Sequence, residues 1–194
     1  MGRTAASGQA GARRQQIIDV AAELFAARGY HGVSIADLGS ALGLSGPALY
    51  KHFASKDALL AEMLIGISQR LLDEGERRYR ATVERGPQAA LDALIGWHIE
   101  FALTYPSLIT VQYRDLDSLN EADRRKVRRL QRKYVERWVQ VIRAVVPADE
   151  EHARAAAHAV FALINSTPHS ARLDREQMTA LLDRMALAAV TAAA

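Results

Sequence analysis

A chain of 194 residues, 49% hydrophobic and 24% charged, carries enough apolar sequence to build a real core and is too hydrophobic to stay disordered. It has no cysteine, which excludes disulfides, thiolate chemistry, thiol redox sensing and Cys-containing metal sites, and fits a reducing cytoplasm. The formal charge of +3 agrees with nucleic-acid contact but decides nothing by itself.

Residues 1–12 are rich in Gly, Ala and Ser and lack a long apolar stretch, so they are read as a flexible N-terminal tail and not as a secretory signal. Ala6 stands where a myristoylation signal needs Ser or Thr. Arg13 and Arg14 close the tail, placed either to touch a phosphate or to sit solvated at a helix start. From about Arg13 to Arg28 the residues Ile17, Ala21, Leu24 and Phe25 recur at helical spacing, until Gly29 ends the helix. Ser34 to Leu42 forms a second helix, with Ser34 as N-cap, Asp37 in the first turn, and Val33 facing Leu38 as a hydrophobic staple. Gly43 supplies a tight turn. Ser45 then caps a third helix with Pro47 in its first turn, Leu44 stapled to Leu49, and Leu49 and Phe53 on the buried face. Its other face, Gly46, Ala48, Tyr50, Lys51 and His52, has small residues beside long polar ones, which suits a DNA groove.

Helix, Gly-containing turn, helix is the layout of a DNA-binding helix-turn-helix. In that setting Val33 to Leu60 resembles the signature of the TetR/AcrR family of bacterial transcriptional regulators. The matching runs are Ser-Ile-x-x-Leu from Ser34, Leu-Gly-Leu-Ser from Leu42, Leu-Tyr-x-His-Phe from Leu49, and x-Ser-Lys-x-x-Leu-Leu from Ala54. Gly39 departs from it, since such proteins usually carry Ala there. The motif covers less than a third of the chain. The resemblance implies an all-α protein with an N-terminal three-helix helix-turn-helix DNA-binding domain at 13–54. A larger helical ligand-binding and dimerisation domain follows at 55–194, with 55–80 as connecting helix. Carried over position by position, Ser34, Ser45, Tyr50, His52 and Lys56 would hold phosphates. Gly46, Pro47, Ala48 and Lys51 would lie nearest the bases, Lys51 being the main hydrogen-bonding reader. The implied partners are a double-stranded operator with an inverted repeat, a second copy of the chain, and a small-molecule effector that releases DNA from a cytoplasmic repressor.

Ser55 caps the connecting helix, whose stripe is Leu60, Met63, Leu64, Ile67 and Leu71. After a break at Gly86-Pro87, the run to Tyr105 carries Leu91, Leu94, Trp97, His98, Phe101 and Tyr105 on one face. Ser107 to Leu119 is a short apolar helix or turn containing Tyr113, Arg114 and Asp115. Glu121 to Val146 is a long helix with Val127, Leu130, Tyr134, Trp138, Val141 and Val145 inward. Its outer run of Arg124, Arg125, Lys126, Arg128, Arg129, Arg132 and Lys133 is a solvated face or, alternatively, an anion-binding surface. An Ala-rich helix from Asp149 stops at Pro168, and Asp174 caps a last helix with the stripe Leu181, Leu182, Met185 and Ala189. By the resemblance these last two helices form an isologous C2 interface.

Trp97, His98, Phe101, Tyr113, Arg114 and Trp138 are the candidate effector-binding residues, against the alternative that they are ordinary core. Arg114, if it faces a cavity, favours an anionic effector such as a carboxylate or an acyl-CoA thioester. The six histidines are scattered without ligand spacing, and Ser118 has no nucleophile setting. No catalytic residue, metal, cofactor or membrane association is expected. The rival function is a helical small-molecule-binding or scaffold protein without specific DNA recognition.

Overall fold

The computed structural model describes residues 2–192, with side chains from residue 11 onward. Among the described residues the chain is helical throughout, with short 3-10 turns and no strand. Helix α1 spans Gly2–Arg28. It begins well ahead of Arg13, so the stretch read as a tail continues the helix instead, in keeping with the high helix propensity of its alanines. Ile17, Ala21 and Phe25 are its fully buried residues.

Helix α2, Ile35–Leu42, opens with a capping box in which Ser34 Oγ accepts from the Asp37 N–H and the Asp37 carboxylate accepts from the Ser34 N–H. Gly43 closes it in the left-handed region, φ 63°, where a side chain would be strained. Helix α3, Gly46–Tyr50, is only five residues long. Ser45 caps it, and the chain leaves by a turn that buries Phe53. Val33, Leu38 and Leu49 are buried and Leu44 packs against the same core, the placement that both staples require.

Helix α4, Lys56–Thr82, capped by Ser55, joins this head to the body. The body comprises α5 (Pro87–Thr104), α6 (Pro106–Asp115), α7 (Glu121–Val145), α8 (Glu150–Ile164), α9 (Thr167–Ser170) and α10 (Arg175–Thr191). Pro168 lies in the first turn of the short α9, where a missing N–H costs little. Helices α4, α5 and α7 pack together at the centre, α8 and α10 lie outside them, and α6 turns back onto α1. A Cβ at Gly75 would come within 2.6 Å of the Tyr134 ring, so the absence of a side chain there lets the α7 tyrosine pack on the α4 backbone. On α8 the residues Ala155, Ala159 and Ala162 stay exposed, and on α10 Met185 does.

Candidate nucleic-acid interface and ligand core

The three-helix head has a small core, and cations reaching main-chain carbonyls hold its parts in register. Arg14 of α1 lies 4.2 Å over the Phe53 ring, donates to the His52 carbonyl, and makes a bidentate pair with Glu62 of α4, Nε to Oε1 at 2.6 Å. The hydrogen bond to Glu62 is the main reason its pKa rises. Arg14 is therefore a clasp beneath the recognition helix. Arg13 turns to Gln16 and to the Leu42 carbonyl at 3.2 Å.

Lys56 donates to the carbonyls of Tyr30 at 3.0 Å and Val33 at 2.8 Å, with its ammonium 4.3 Å over the Tyr30 ring. Two of its three donors thus hold the α1–α2 connector, although the carry-over assigned the residue to phosphate. Tyr30 in turn hydrogen-bonds Asp57, and burial together with that bond pushes its phenol pKa up. Arg114 of α6 donates to the Phe25 and Ala26 carbonyls, the latter at 3.2 Å, while pairing with the buried Asp115 at 3.1 Å. It caps the C-terminus of α1 from α6, adding a donor to the Phe25 carbonyl, which also accepts from the Gly29 N–H, and reaching the Ala26 carbonyl of the last turn.

On the opposite side of the head, Ser34, Ser45, Pro47, Tyr50 and Lys51 are exposed, and Gly46, Ala48 and His52 are half-buried. A Cβ at Gly46 would lie 3.9 Å from Ile35, so the capped start of α3 sits beside the capped start of α2. Two helix N-termini with their partial positive charge, flanked by a lysine and a phenol, make a surface suited to phosphates and base edges. Glu62 was not singled out in the sequence, and Arg14 was read there as a phosphate contact or a solvated charge, because its partners His52 and Glu62 are remote in sequence.

The model of bacterial regulatory proteins of the tetR family matches residues 17–63, and the tetracyclin repressor-like C-terminal domain matches residues 84–172. The chain belongs to the TetR family. The transcriptional repressor KstR2 of Rhodococcus jostii is 32% identical to this TetR-family chain over 116 residues, 60% of this chain and 48% of that protein. KstR2 of Mycobacterium tuberculosis is 36% identical over 78 residues, 40% of this chain and 37% of that one. The matches thus span about half or less of these curated relatives. Among solved structures, the regulator PfmR of Thermus thermophilus superposes with a TM-score of 0.74 at 27% identity, covering 88% of this chain and 97% of that one. A TetR-family regulator of Bordetella parapertussis does so at 0.77 and 25%, covering 90% and 93%.

In the body of this TetR chain, Trp97, His98, Phe101 and Trp138 are buried and share one aromatic cluster with Tyr134 and Phe161. The rings of His98, Tyr134 and Phe161 contact one another pairwise, with His98 Nδ1 3.3 Å from the Tyr134 hydroxyl and Nε2 3.2 Å from Asn165 Oδ1. Burial pushes its pKa down to about 4, against an upward pull from Asn165, so the imidazole is neutral at physiological pH. The Trp97 N–H donates to the Leu71 carbonyl at 3.1 Å.

Two candidates fall outside the cluster. Tyr113 is 94% exposed, and Arg114 is committed to α1. The reason for expecting an anionic effector at Arg114 is thereby removed. Tyr134 lay in the inward stripe of α7 but was not singled out, and Phe161 was hidden among alanines.

Part of the basic run on α7 is paired, Arg124 and Arg128 with Asp117 at 3.6 Å and Arg125 with Glu121. This fits a solvated face. Beside it an open groove of about 600 Å³ runs between α4 and α7, bridged by the Arg137–Glu76 pair at 2.6 Å. Among the described residues no helix is long and apolar enough to cross a membrane, and no cluster of His, Asp and Glu could hold a metal ion.

Proposed function

We propose that this chain is a homodimeric DNA-binding transcriptional regulator whose two heads read an inverted-repeat operator and release it when a small molecule occupies the helical body. The observation that carries this reading is the short α3 helix, capped and braced from behind, with Tyr50 and Lys51 exposed beside the N-terminus of α2. The named activity of the KstR2 relatives, transcriptional repression, supports the direction of control. A structural neighbour was solved with isovaleryl coenzyme A and operator DNA, and another with stearoyl-CoA. Those neighbours, and no longer Arg114, support an acyl-CoA thioester as the effector class. The exposed small and apolar face of α8 and α10, Ala155, Ala159, Ala162 and Met185, supports pairing with a second copy.

On this reading Ser34, Ser45, Tyr50 and His52 contact phosphates, and Gly46, Pro47, Ala48 and Lys51 face the bases. Half-sites then lie one helical turn or a multiple apart. Few of these side chains can bond a base edge, so thymine methyl contacts and DNA shape carry much of the specificity.

The test is selection from a randomised double-stranded DNA pool at near-physiological salt, followed by sequencing. An enriched inverted repeat is expected. Absence of enrichment with folded protein would favour the ligand-binding scaffold instead. Lys51→Ala should lower operator affinity about tenfold or more and relax one position of the site. An unchanged preference would remove Lys51 from base reading.

A further inference from the structure

Arginines of the body are commonly matched by acids. Arg78 meets Glu74 and Glu100, Arg137 meets Glu76, and Arg154 meets Glu136 and Glu150. The first half of α7 departs from this. Residues 124–133 hold seven of the chain's 25 basic residues, and no acid stands between Asp123 and Glu136. Without that run the formal charge of the chain would be negative. Arg125 pairs with Glu121, while Arg124 and Arg128 share one carboxylate, Asp117, whose side chain is 81% exposed. Lys126, Arg129, Arg132 and Lys133 are exposed and make no ion pair among the described residues.

Such a run works against the helix that carries it. Arg125 and Arg129, Arg128 and Arg132, and Arg129 and Lys133 each stand four apart, where like charges repel. Arg124 and Arg125 also follow directly on the first turn, the end at which the helix dipole favours anions. A local rule broken without a compensating partner inside the chain points to a partner outside it.

The face restricts what that partner is. At helical spacing Lys126, Arg129 and Lys133 fall within about 60° of one another, with Arg132 beside them, in a row about 10 Å long. That is the length of about three base-pair steps of a duplex. No aromatic side chain stands in the row to stack on an unpaired base, because Tyr134 and Trp138 are buried. The apolar stripe a lipid surface would need, Val127 and Leu130, is buried in the body as well. A regular line of phosphates fits the row best. Its position agrees, for α7 starts beside the head: the hydroxyl of Ser118 lies 3.2 Å from His31 Nε2, in the connector that leads to the Ser34 cap.

We propose that Lys126, Arg129, Arg132 and Lys133 form a second DNA-binding surface, outside the helix-turn-helix, that takes the phosphodiester backbone of double-stranded DNA without regard to sequence. Two sources offer these phosphates, the flank of the duplex held by the head and a separate duplex segment. The proposal rests on the reading of the chain as a DNA-binding regulator.

The test is fluorescence anisotropy of a labelled random-sequence duplex of about 40 base pairs, titrated with the full chain at about 50 to 200 mM salt. Each phosphate neutralised adds about 0.9 to the slope of log affinity against log salt, so Lys126→Gln/Arg129→Gln/Lys133→Gln should flatten that slope by about 2–3 and weaken binding about tenfold at the lowest salt. Its melting temperature should hold or rise, because repulsion along α7 is relieved. Arg80→Gln/Arg85→Gln/Arg143→Gln removes the same charge from exposed positions at the ends of α4 and α7 and the turn after α4, and should leave the slope unchanged. An unaltered slope in the α7 variant, or an equal loss in the second variant, would overturn the proposal, the latter by making net charge the cause. On an operator recovered from the DNA pool, a loss seen only with long flanks assigns the phosphates to the flank. An equal loss on the trimmed operator, with the unaltered chain joining two labelled duplexes, assigns them to a separate segment. A pool that returns no inverted repeat counts against the operator reading alone, because the slope on the random duplex is measured without it.

Discussion

In the head, Arg14, Lys56 and Arg114 cross between helices to grip the carbonyls of His52, Tyr30, Val33, Phe25 and Ala26. In the body, His98, Tyr134, Trp138 and Phe161 meet ring to ring around neutral hydrogen bonds. The contrast follows from size. Two short helices packed on the end of α1 bury too little apolar surface to fix their mutual angles, and a guanidinium or ammonium spanning two elements fixes them with directional bonds. The body has enough apolar surface to be held by packing, and its buried polar atoms, on His98, Tyr134 and Asn165, bond one another within it. Head geometry should thus be sensitive to single charges, and body stability to the ionisation of a single buried ring.

The largest effect expected in the head is from its small core. Phe25 is fully buried, and Phe25→Ala should cost about 3–5 kcal/mol, read as a lowered urea midpoint. A loss below about 1 kcal/mol would mean that the clasps, and not the core, carry the head.

In the body the corresponding probe is pH. His98 is held neutral with its pKa lowered from 6.5 to about 4. Between those values the unfolded chain binds a proton that the folded chain refuses. This contribution is therefore complete above pH 6.5 and is lost as pH falls toward 4. Its full size is on the order of 3 kcal/mol. His98→Gln should flatten the fall in melting temperature across that window, and an unchanged slope would show that other groups govern acid unfolding.

How much of this could be read in advance depended on range. Ser34, Ser45, Ser55 and Asp174 each accept from the amide three residues on, as expected, because capping is settled within one turn of chain. The inward stripe of α7 was also legible, since periodicity records which face meets the core. Arg114 was not. Its carbonyl partners lie 88 and 89 residues away, and a cation beside aromatic residues reads equally well as ligand contact or as helix cap. Lys56 misled for a related reason, because phosphate and carbonyl oxygen offer an ammonium similar bonds. Tyr113 came from a run whose two faces were both apolar enough to be called inward. Residues 2–12 are rich in Ala and Gly, which suit helix and tail respectively, so composition could not choose between them.

The clasps themselves offer a test whose sign matters more than its size. Arg114→Met keeps the aliphatic stem but leaves Asp115, only 5% exposed, without its cation, and should cost about 2 kcal/mol. Adding Asp115→Asn removes the stranded charge, so the double variant should melt higher than Arg114→Met alone. If it melts lower, Asp115 serves the α1–α2 connector through its contact with the Tyr30 N–H, 3.5 Å, more than it serves Arg114.

The smallest effect sets local propensity against packing at Gly39. On propensity alone Gly39→Ala should gain about 1 kcal/mol, since Gly is poor in a helix interior. The head's turn argues otherwise. A Cβ at Gly39 would lie 2.6 Å from the Leu44 carbonyl oxygen, and that atom is backbone, held by the Leu44 N–H bond to the Gly39 carbonyl at 2.8 Å. Relief requires moving Leu44, which leads directly into the Ser45 cap and the start of α3. Overpacking of this kind costs about 1–3 kcal/mol, so the net change should be a loss of about 1 kcal/mol in a thermal melt. Operator affinity should fall with it, because the shift displaces the recognition helix itself. A stabilised Gly39→Ala protein with full DNA affinity would show instead that the turn between α2 and α3 yields, and that the clasps alone hold α3 in place.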